Sequence, residues 1–218
     1  MDPHYLSALN RDLERHWGFP PGVLDQSSIT HFRSDRNMAV WTMQGGVVAC
    51  EDPQTAARVI CWIERGRDEG EPVPGSLDVG LYCCTVPQPD RRYQVEVISP
   101  SDVWPDEDNS IFEHVFAISD GSEIVSRAMN RPDLEVDGRR FHAVGVGTHP
   151  DYRGKGLGKA VVSALVEHIV SEGGIALWNS DSENTVSLAL ARSVGFIEHL
   201  WVLGLVDPAD RSAQVSAQ

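Results

Sequence analysis

The chain has 218 residues, 41% of them hydrophobic, and its 18 Lys and Arg against 32 Asp and Glu give a formal net charge of -14. This length allows about 70% of the unfolded surface to be buried, enough for one large or two small domains. The acidic balance argues against a nucleic-acid partner, whose phosphates need a basic face, and is compatible with a cationic substrate.

The ends and the cysteines point to a cytoplasmic protein. Residues 1–4 lack the basic and apolar regions of a signal peptide, and no apolar stretch approaches the ~18 residues that span a bilayer, so no membrane partner is expected. Cys50, Cys61, Cys83 and Cys84 form no Cys-x-x-Cys pair and have no nearby histidines at zinc spacing. Reduced thiols are therefore favoured over a regulatory disulfide, and no metal site is predicted. The sixteen arginines suggest a GC-rich, bacterial genome.

The first ninety or so residues are typical of mixed α/β structure. Residues 7–17 favour a helix, and residues 38–43 and 46–50 a hairpin across Gln44-Gly45. Asp52 and Pro53 then predict the start of a helix with Ala56, Val59, Ile60 and Ile63 on one face. Residues 69–75 predict a loop, and residues 77–86 a strand.

The middle of the chain predicts a meander. Proline-containing turns are expected at residues 87–90 and 100–102, and a loop or short helix at 102–109. Strands are predicted at 112–119, 123–129 and 140–148, with a turn at Asp120-Gly121 and a loop at 130–137. A helix at 160–171, a strand at 175–178 and a helix at 183–193 follow, and residues 209–218 form a polar tail.

A glycine-rich segment, Arg153-Gly154-Lys155-Gly156-Leu157-Gly158-Lys159, joins a predicted strand to a predicted helix and holds the only two lysines of the chain. Successive N–H groups at such a helix start attract anions, which indicates a pyrophosphate site. A dinucleotide fingerprint would need Gly or Ala at position 159, where the chain has Lys159. A P-loop would need four residues between its glycines and a hydroxyl after its lysine, and neither is present.

A third pattern, Arg/Gln-x-x-Gly-x-Gly/Ala, is met by Arg153, Gly156 and Gly158. With residues 148–152 before it, this segment resembles motif A of the GNAT acyl-CoA-dependent N-acetyltransferases. Downstream, Asn184, Ser187 and Gly195-Phe196 resemble the Asn-x-x-Ser helix of that family and the Gly-Phe pair that ends it. The resemblance covers roughly residues 140–200.

The resemblance implies an α/β fold with a mixed, mostly antiparallel sheet, a splayed central strand pair and flanking helices. Residues 93–208 would form this GNAT core, and residues 1–92 an N-terminal α/β extension.

The resemblance also implies acetyl-CoA as cosubstrate and a set of residues that bind it. The loop from Gly154 to Lys159 would hold the pyrophosphate, and the strand before it the pantetheine arm, with the N–H of Val146 polarising the thioester. Gly145 and Gly147 suggest a bulge there. Asn184 would contact the arm or cap its helix. The implied cofactor-binding residues are Val146, Gly147, Thr148, Arg153, Gly154, Lys155, Gly156, Leu157, Gly158, Lys159, Asn184 and Ser187.

Two positions bear on proton transfer. His142, eleven residues before Arg153, matches the position of a Glu base in histone-type members, and strand alternation places it on the face of Val144 and Val146. The alternative is a structural histidine in a half-buried strand. Many members carry a Tyr acid where this chain has Ala191, so that either the thiolate leaves unassisted or Ser187 or a water takes the place of the Tyr.

The predicted function is transfer of an acetyl group from acetyl-CoA to a primary amine of a small molecule. A catalytically silent acyl-CoA-binding module and a protein or peptide N-acetyltransferase are the alternatives. A homodimer is compatible with this interpretation.

Overall fold

The computed structural model describes residues 3–65, 75–83, 85–103, 111–136 and 138–205. Its helices are α1 (Pro3–Trp17), α2 (Pro53–Glu64), α3 (Pro100–Val103), α4 (Leu157–Ser171) and α5 (Thr185–Val194). Its strands are β1 (Ile29–Phe32), β2 (Met38–Thr42), β3 (Gly46–Ala49), β4 (Gly75–Cys83), β5 (Glu96–Ile98), β6 (His114–Asp120), β7 (Glu123–Val136), β8 (Arg139–Thr148), β9 (Ile175–Asp181) and β10 (Ile197–Leu205). Most paired strands are antiparallel, which confirms the predicted mixed α/β class.

The chain divides into two compact units, residues 1–80 with 199–218, and residues 81–198. In the first unit the strands follow the order β1, β3, β2, β10, β4. The predicted hairpin is confirmed, since β2 and β3 pair with Val40 opposite Val47. Apolar side chains from the strands and from the segment after α1 form its core, namely Phe19, Val23, Leu24, Val40, Val47 and Ala49.

The start of α2 is also as predicted. The carboxylate of Asp52 accepts hydrogen bonds from the backbone N–H groups of Gln54 and Thr55, and Pro53 occupies the first helical position. These bonds satisfy N–H groups that have no partner inside the helix. Ala56 and Val59 of the predicted apolar face of α2 are buried.

In the second unit the strands follow the order β9, β8, β7, β6, β5. Helix α4 packs across β6, β7 and β8 and contacts α5. Its buried face carries closely spaced apolar residues, namely Leu157, Ala160, Val161, Val162, Leu165, Val166 and Ile169. This packing fixes the start of α4 beside the end of β8.

The predicted loop at residues 130–137 is wrong, because β7 continues to Val136 and pairs with β8 throughout. Pro132 sits opposite His142, and the register shifts between Pro132 and Leu134 so that Asp133 is the extra residue of a bulge. Proline is tolerated there because its missing N–H would point away from β8. Pro132 and the charged residues around it are typical of a loop, and for this reason the second half of β7 was not predicted as a strand.

Other boundaries differ by a few residues or more. Strand β4 is Gly75–Cys83 rather than 77–86, and the turn expected at 100–102 is the start of the short helix α3. Strands β1 and β5 were not predicted. The loop expected at 69–75 is described only at its last residue, which begins β4, and the tail expected at 209–218 lies outside the described residues. The core boundary predicted at residue 93 stays a prediction.

Two further sequence predictions concern cysteines and membranes. Cys50 is a buried free thiol and Cys61 a half-buried one, while the side chains of Cys83 and Cys84 lie outside the described part. Among the residues that the structure describes, none of the helices has the length and hydropathy to cross a bilayer.

We predict that His199 makes the first unit less stable in acid. Its Nε2 lies 3.0 Å from Oδ1 of the buried Asn10, and burial lowers its pKa to about 4, although Asp25 acts in the opposite direction. Between pH 6.5 and 4 the unfolded chain binds a proton that the folded chain does not, so stability should fall as the pH falls, by up to about 1.4 kcal/mol per pH unit. Urea unfolding of the wild type and of His199→Asn, which keeps an N–H donor, should show a shallower pH slope for the variant. Equal slopes would contradict the prediction.

Candidate active site

The glycine-rich segment leads into α4 through two left-handed residues. Gly154 and Gly156 have φ values of 74° and 88°, a region that side chains with a Cβ rarely adopt. Gly156 is the residue that caps α4, and it provides no side-chain hydrogen bond to the helix. The first N–H groups of α4 therefore have no side-chain cap and present a partial positive charge to an anion.

The cations of the segment are engaged in different ways. Nε of Arg153 donates to the carbonyl oxygen of Thr148 at 3.2 Å and so braces the loop against the end of β8. Nζ of Lys155 lies 4.6 Å from the ring centroid of Tyr152, whose hydroxyl donates to Asp120. Lys159 lies in the first turn of α4, where its charge acts on Asp90.

Gly158 lets the start of α4 approach the end of β8. A Cβ on Gly158 would lie 3.4 Å from Oγ1 of Thr148 and 3.6 Å from Cδ2 of Leu190. The hydroxyl of Thr148 is in turn 2.9 Å from that of the buried Ser126 on β7. The helix start is thus held against the strand on which the resemblance places the acyl arm.

Strands β8 and β9 are parallel and separate after a short paired stretch. Their ladder consists of Phe141 with Ile175, His142 with Ala176, and Ala143 with Leu177, although β8 runs on to Thr148 and β9 to Asp181. This is the splayed pair that the resemblance to the GNAT family implied. It opens a cleft between the later halves of the two strands.

The backbone of Val146 and Thr148 points into this cleft. The N–H of His149 donates to the carbonyl of Val125 on β7, which makes that pair hydrogen-bonded. Because pairs alternate along an antiparallel ladder, the polar groups of Val146 and Thr148 point away from β7. The register of β7 and β8 is continuous here, so the bulge expected near Gly145 and Gly147 is absent from these two fully described stretches.

Asn184 and Ser187 lie at the start of α5, and Ser187 contacts β9. Oδ1 of Asn184 accepts the N–H of Ser187 at 3.1 Å, so Asn184 fills the capping role that the sequence allowed. The hydroxyl oxygen of Ser187 accepts the indole N–H of Trp178 on β9 at 3.1 Å. Its own proton stays free to be donated.

His142 is buried on the face of β8 that α4 covers. Its Cδ2 would lie 3.1 Å from a Cβ on Gly174, just past the end of α4, and a Cβ on Gly158 at the helix start would lie 4.0 Å from Val146. His142 and Val146 thus share one face, as alternation predicted. His142 nevertheless lies four residues from Val146, about 13 Å along the strand, and not beneath the cleft.

Hydrogen bonds assign the tautomer of His142. Oδ1 of the buried Asn130 accepts the N–H of His114, so Nδ2 of Asn130 is the atom that faces Nδ1 of His142, at 3.0 Å. Nδ1 is therefore an acceptor, and the neutral ring carries its proton on Nε2. Burial lowers the pKa of His142, which the nearby Glu113 only partly offsets. The lowered pKa favours the neutral imidazole at pH 7.

A pocket of about 310 Å³ opens beside His142. Besides three glycines it is lined by Glu113, His114, Arg140, His142 and Glu172. Glu113 contacts both Arg140 and His142, each at 3.3 Å. The pocket is polar and lies at the end of α4 opposite the glycine loop.

Sequence reasoning missed two parts of this site. Asn130 was placed in a loop, and nothing local to it indicates a buried amide that orients a histidine. The sequence predicts a turn at residues 87–90 and no contact for the residues after it, yet the hydroxyl of Tyr93 donates to the carbonyl of Lys155 at 2.5 Å. That contact joins residues 62 positions apart, and no periodic pattern could reveal it.

Comparison with known proteins agrees with this geometry. The family model for GNAT acetyltransferases matches residues 115–200. The chain is 28% identical to the N-alpha-acetyltransferase RimI of Mycobacterium tuberculosis over 124 residues, which cover 55% of the chain and 68% of RimI.

Two solved structures are more distant. A GNAT-family protein from Novosphingobium aromaticivorans is 20% identical with a TM-score of 0.44, and the alignment covers 61% of this chain and just under two thirds, 66%, of that one. A GCN5-related N-acetyltransferase from Sphaerobacter thermophilus is 14% identical with a TM-score of 0.45, and the alignment covers 76% of this chain and 58% of that one.

The family model and the similarity to RimI point to the same class. Residues 115–200 match the GNAT acetyltransferase family, which assigns this stretch of the chain to that class. Members of this class use acetyl-CoA.

We predict that Asn184→Ala destabilises the protein by about 1 kcal/mol, because the N–H of Ser187 loses its acceptor at the start of α5. Asn184→Asp retains an acceptor oxygen and serves as the matched control. Urea unfolding without any ligand should separate the two variants. A loss confined to CoA affinity, with stability unchanged, would instead make Asn184 a ligand-binding residue rather than a cap.

Proposed function

We propose that the chain transfers an acetyl group from acetyl-CoA to a primary amine of a small molecule. The observation that carries this proposal is the cleft between β8 and β9. Polar backbone groups of Val146 and Thr148 point into it, and it ends at the uncapped start of α4.

The residues present fit acetyl-CoA. The N–H groups at the start of α4 and the charge of Lys159 suit a pyrophosphate, with Gly154 to Lys159 forming the loop around it. The strand from Val146 to Thr148 offers N–H and C=O groups to an extended, amide-containing arm, as a neighbouring strand would. When bound, acetyl-CoA supplies the activated acyl group.

Val146 would provide electrostatic stabilisation. Its N–H is fixed by strand pairing with β7 and points into the cleft, so it needs no reorganisation to donate a hydrogen bond to developing negative charge. Such a preorganised donor is worth about 10²–10³ in rate in well-studied acyl transfer.

Ser187 is our candidate proton donor. Its oxygen is held by the indole of Trp178, and the hydroxyl hydrogen can turn towards the cleft. The usual Tyr acid is replaced here by Ala191, a fully buried residue of α5. The position of the Ser187 hydroxyl supports its role as the proton donor in place of that Tyr.

The bonding of His142 favours water over this residue as the base. A general base needs a free lone pair, and the lone pair on Nδ1 already accepts from Asn130. The Nε2 side carries the proton of the neutral ring. An amine would therefore lose its proton to water.

A second candidate acceptor is the amino terminus of a protein, which the similarity to the N-alpha-acetyltransferase RimI favours. Release of free thiol from acetyl-CoA, measured with a panel of small amines and a panel of short peptides, separates the two acceptors. Release with neither panel, despite binding of CoA, would identify a silent acyl-CoA-binding module.

We expect acetyl-CoA and CoA to raise the thermal unfolding temperature, while ATP at equal concentration does so much less. At about 100 times its dissociation constant a ligand adds about 2.7 kcal/mol of stability. Differential scanning fluorimetry over a concentration series tests this. A response to ATP equal to that to CoA would contradict the acyl-CoA assignment.

We expect His142→Ala to reduce protein stability and to leave the acetylation rate at pH 7 within about threefold of wild type, whereas loss of a general base would cost about 10²–10⁴-fold. The instability follows because the variant removes one of the two acceptors of the buried Asn130 amide, the other being Oε2 of Glu113 at 3.3 Å. Rates would be measured with limiting chemistry at pH 7 and pH 9, below the unfolding temperature of the variant. A drop of more than tenfold at pH 7 that disappears at pH 9 would restore His142 as the base.

A further inference from the structure

Residues 87–93, here called the strap, lie against the start of α4. The N–H of Asp90 donates at 3.1 Å to the hydroxyl of Ser163, which itself donates to the carbonyl of Ala160 at 3.0 Å. At its other end the hydroxyl of Tyr93 donates to the carbonyl of Lys155. The strap is thus bonded both to the second turn of α4 and to the glycine loop.

The strap places a guanidinium beside Gly156, the residue that caps α4. Nη2 of Arg92 would lie 2.8 Å from a Cβ on Gly156, and Oδ2 of Asp90 4.0 Å from it, so both ends of this ion pair lie next to the cap of α4. The side chain of Arg92 is 67% exposed, whereas that of Asp90 is almost buried. Arg92 therefore stands between solvent and the anion-attracting helix start.

Asp90 holds this guanidinium in one orientation. Its carboxylate accepts from Nε of Arg92 at 2.8 Å and from Nη2 at 2.5 Å. The pairing leaves both hydrogens of Nη1 and one of Nη2 for a ligand. An arginine fixed in this way loses less conformational entropy when it binds a phosphate.

We propose that Arg92 binds the pyrophosphate of acetyl-CoA, with Asp90 as the residue that positions it. The inference rests on the proposed acetyl-CoA site and adds to it a ligand from outside the glycine motif. Arg153 donates a hydrogen bond to Thr148, and the ammonium group of Lys155 lies over the ring of Tyr152. Because these two cations of the loop are engaged in contacts within the protein, the guanidinium of Arg92 adds positive charge for the phosphates. Asp90 remains ionised, because its bond to Arg92 lowers its pKa to about 2.

Isothermal titration of the full chain with CoA tests this proposal. We expect Arg92→Ala to weaken CoA binding by about tenfold or more. Arg92→Lys keeps the charge but loses the paired N–H donors of the guanidinium, so its affinity for CoA should lie between those of Arg92→Ala and the wild type. Arg91→Ala is the matched control, since Arg91 is in the same strap, is 79% exposed and faces Glu167 at 3.7 Å. It should bind CoA within about twofold of wild type. Circular dichroism and thermal unfolding confirm that each variant is folded.

Asp90→Asn separates positioning from repulsion. If Asp90 orients Arg92, the variant binds CoA several times more weakly. Tighter binding by the variant would show that Asp90 only repels the phosphates and would overturn its positioning role.

Dephospho-CoA, which lacks the ribose phosphate, identifies the group that Arg92 binds. The ratio between wild type and Arg92→Ala should be the same for both ligands. Disappearance of the effect with dephospho-CoA would assign Arg92 to the ribose phosphate and overturn the pyrophosphate assignment. Wild-type affinity in Arg92→Ala would refute the role of Arg92 alone, whereas absence of CoA binding by the wild type would refute the proposed function itself.

Discussion

The separation of β8 from β9 after the pair of Ala143 and Leu177 is the constraint on which the site depends. Up to that pair the two strands satisfy each other's backbone groups. Beyond it, β8 is paired only through β7, and every second residue turns its N–H and C=O towards the gap. Backbone groups without partners are costly when buried, so a gap of this kind is stable only where water or a ligand fills it. The polar groups that line the gap on the side of β8 are therefore main chain, fixed by strand register.

Helix α4 brings charge to the same place without crowding it. Gly156 ends the loop in a left-handed conformation, and Gly158 allows the first turn to rest on Thr148. The side chains of the loop largely serve the loop itself, with Arg153 bonded to a carbonyl and Lys155 over an aromatic ring. The electrostatics of the helix start thus depend on its own N–H groups, on Lys159 and on the neighbouring strap.

Local signals allowed most of this arrangement to be predicted. The glycine segment, the strand before it and the helix after it follow one another within residues 139–171, and Asn184 has the residue type and spacing of a cap. Prediction failed where a role depends on a distant partner. His142 looks like a base in sequence, but the amide of Asn130, twelve residues away in a strand disguised by Pro132, determines which ring nitrogen holds the proton. Arg92 lies far from the motif in sequence and reaches it only through the strap.

Pro132 also protects an edge. Among the described residues β6 begins at His114, opposite Asn130, so β7 beyond that point has β8 on one side and no ladder on the other. Such a bare strand could template pairing with another polypeptide. At Pro132 the edge lacks a donor, the bulge at Asp133 breaks its regular spacing, and the exposed charges of Arg131 and Glu135 discourage stacking. The loop-like sequence of the second half of β7 thus allows this part of the strand to be an exposed edge that resists pairing with another chain.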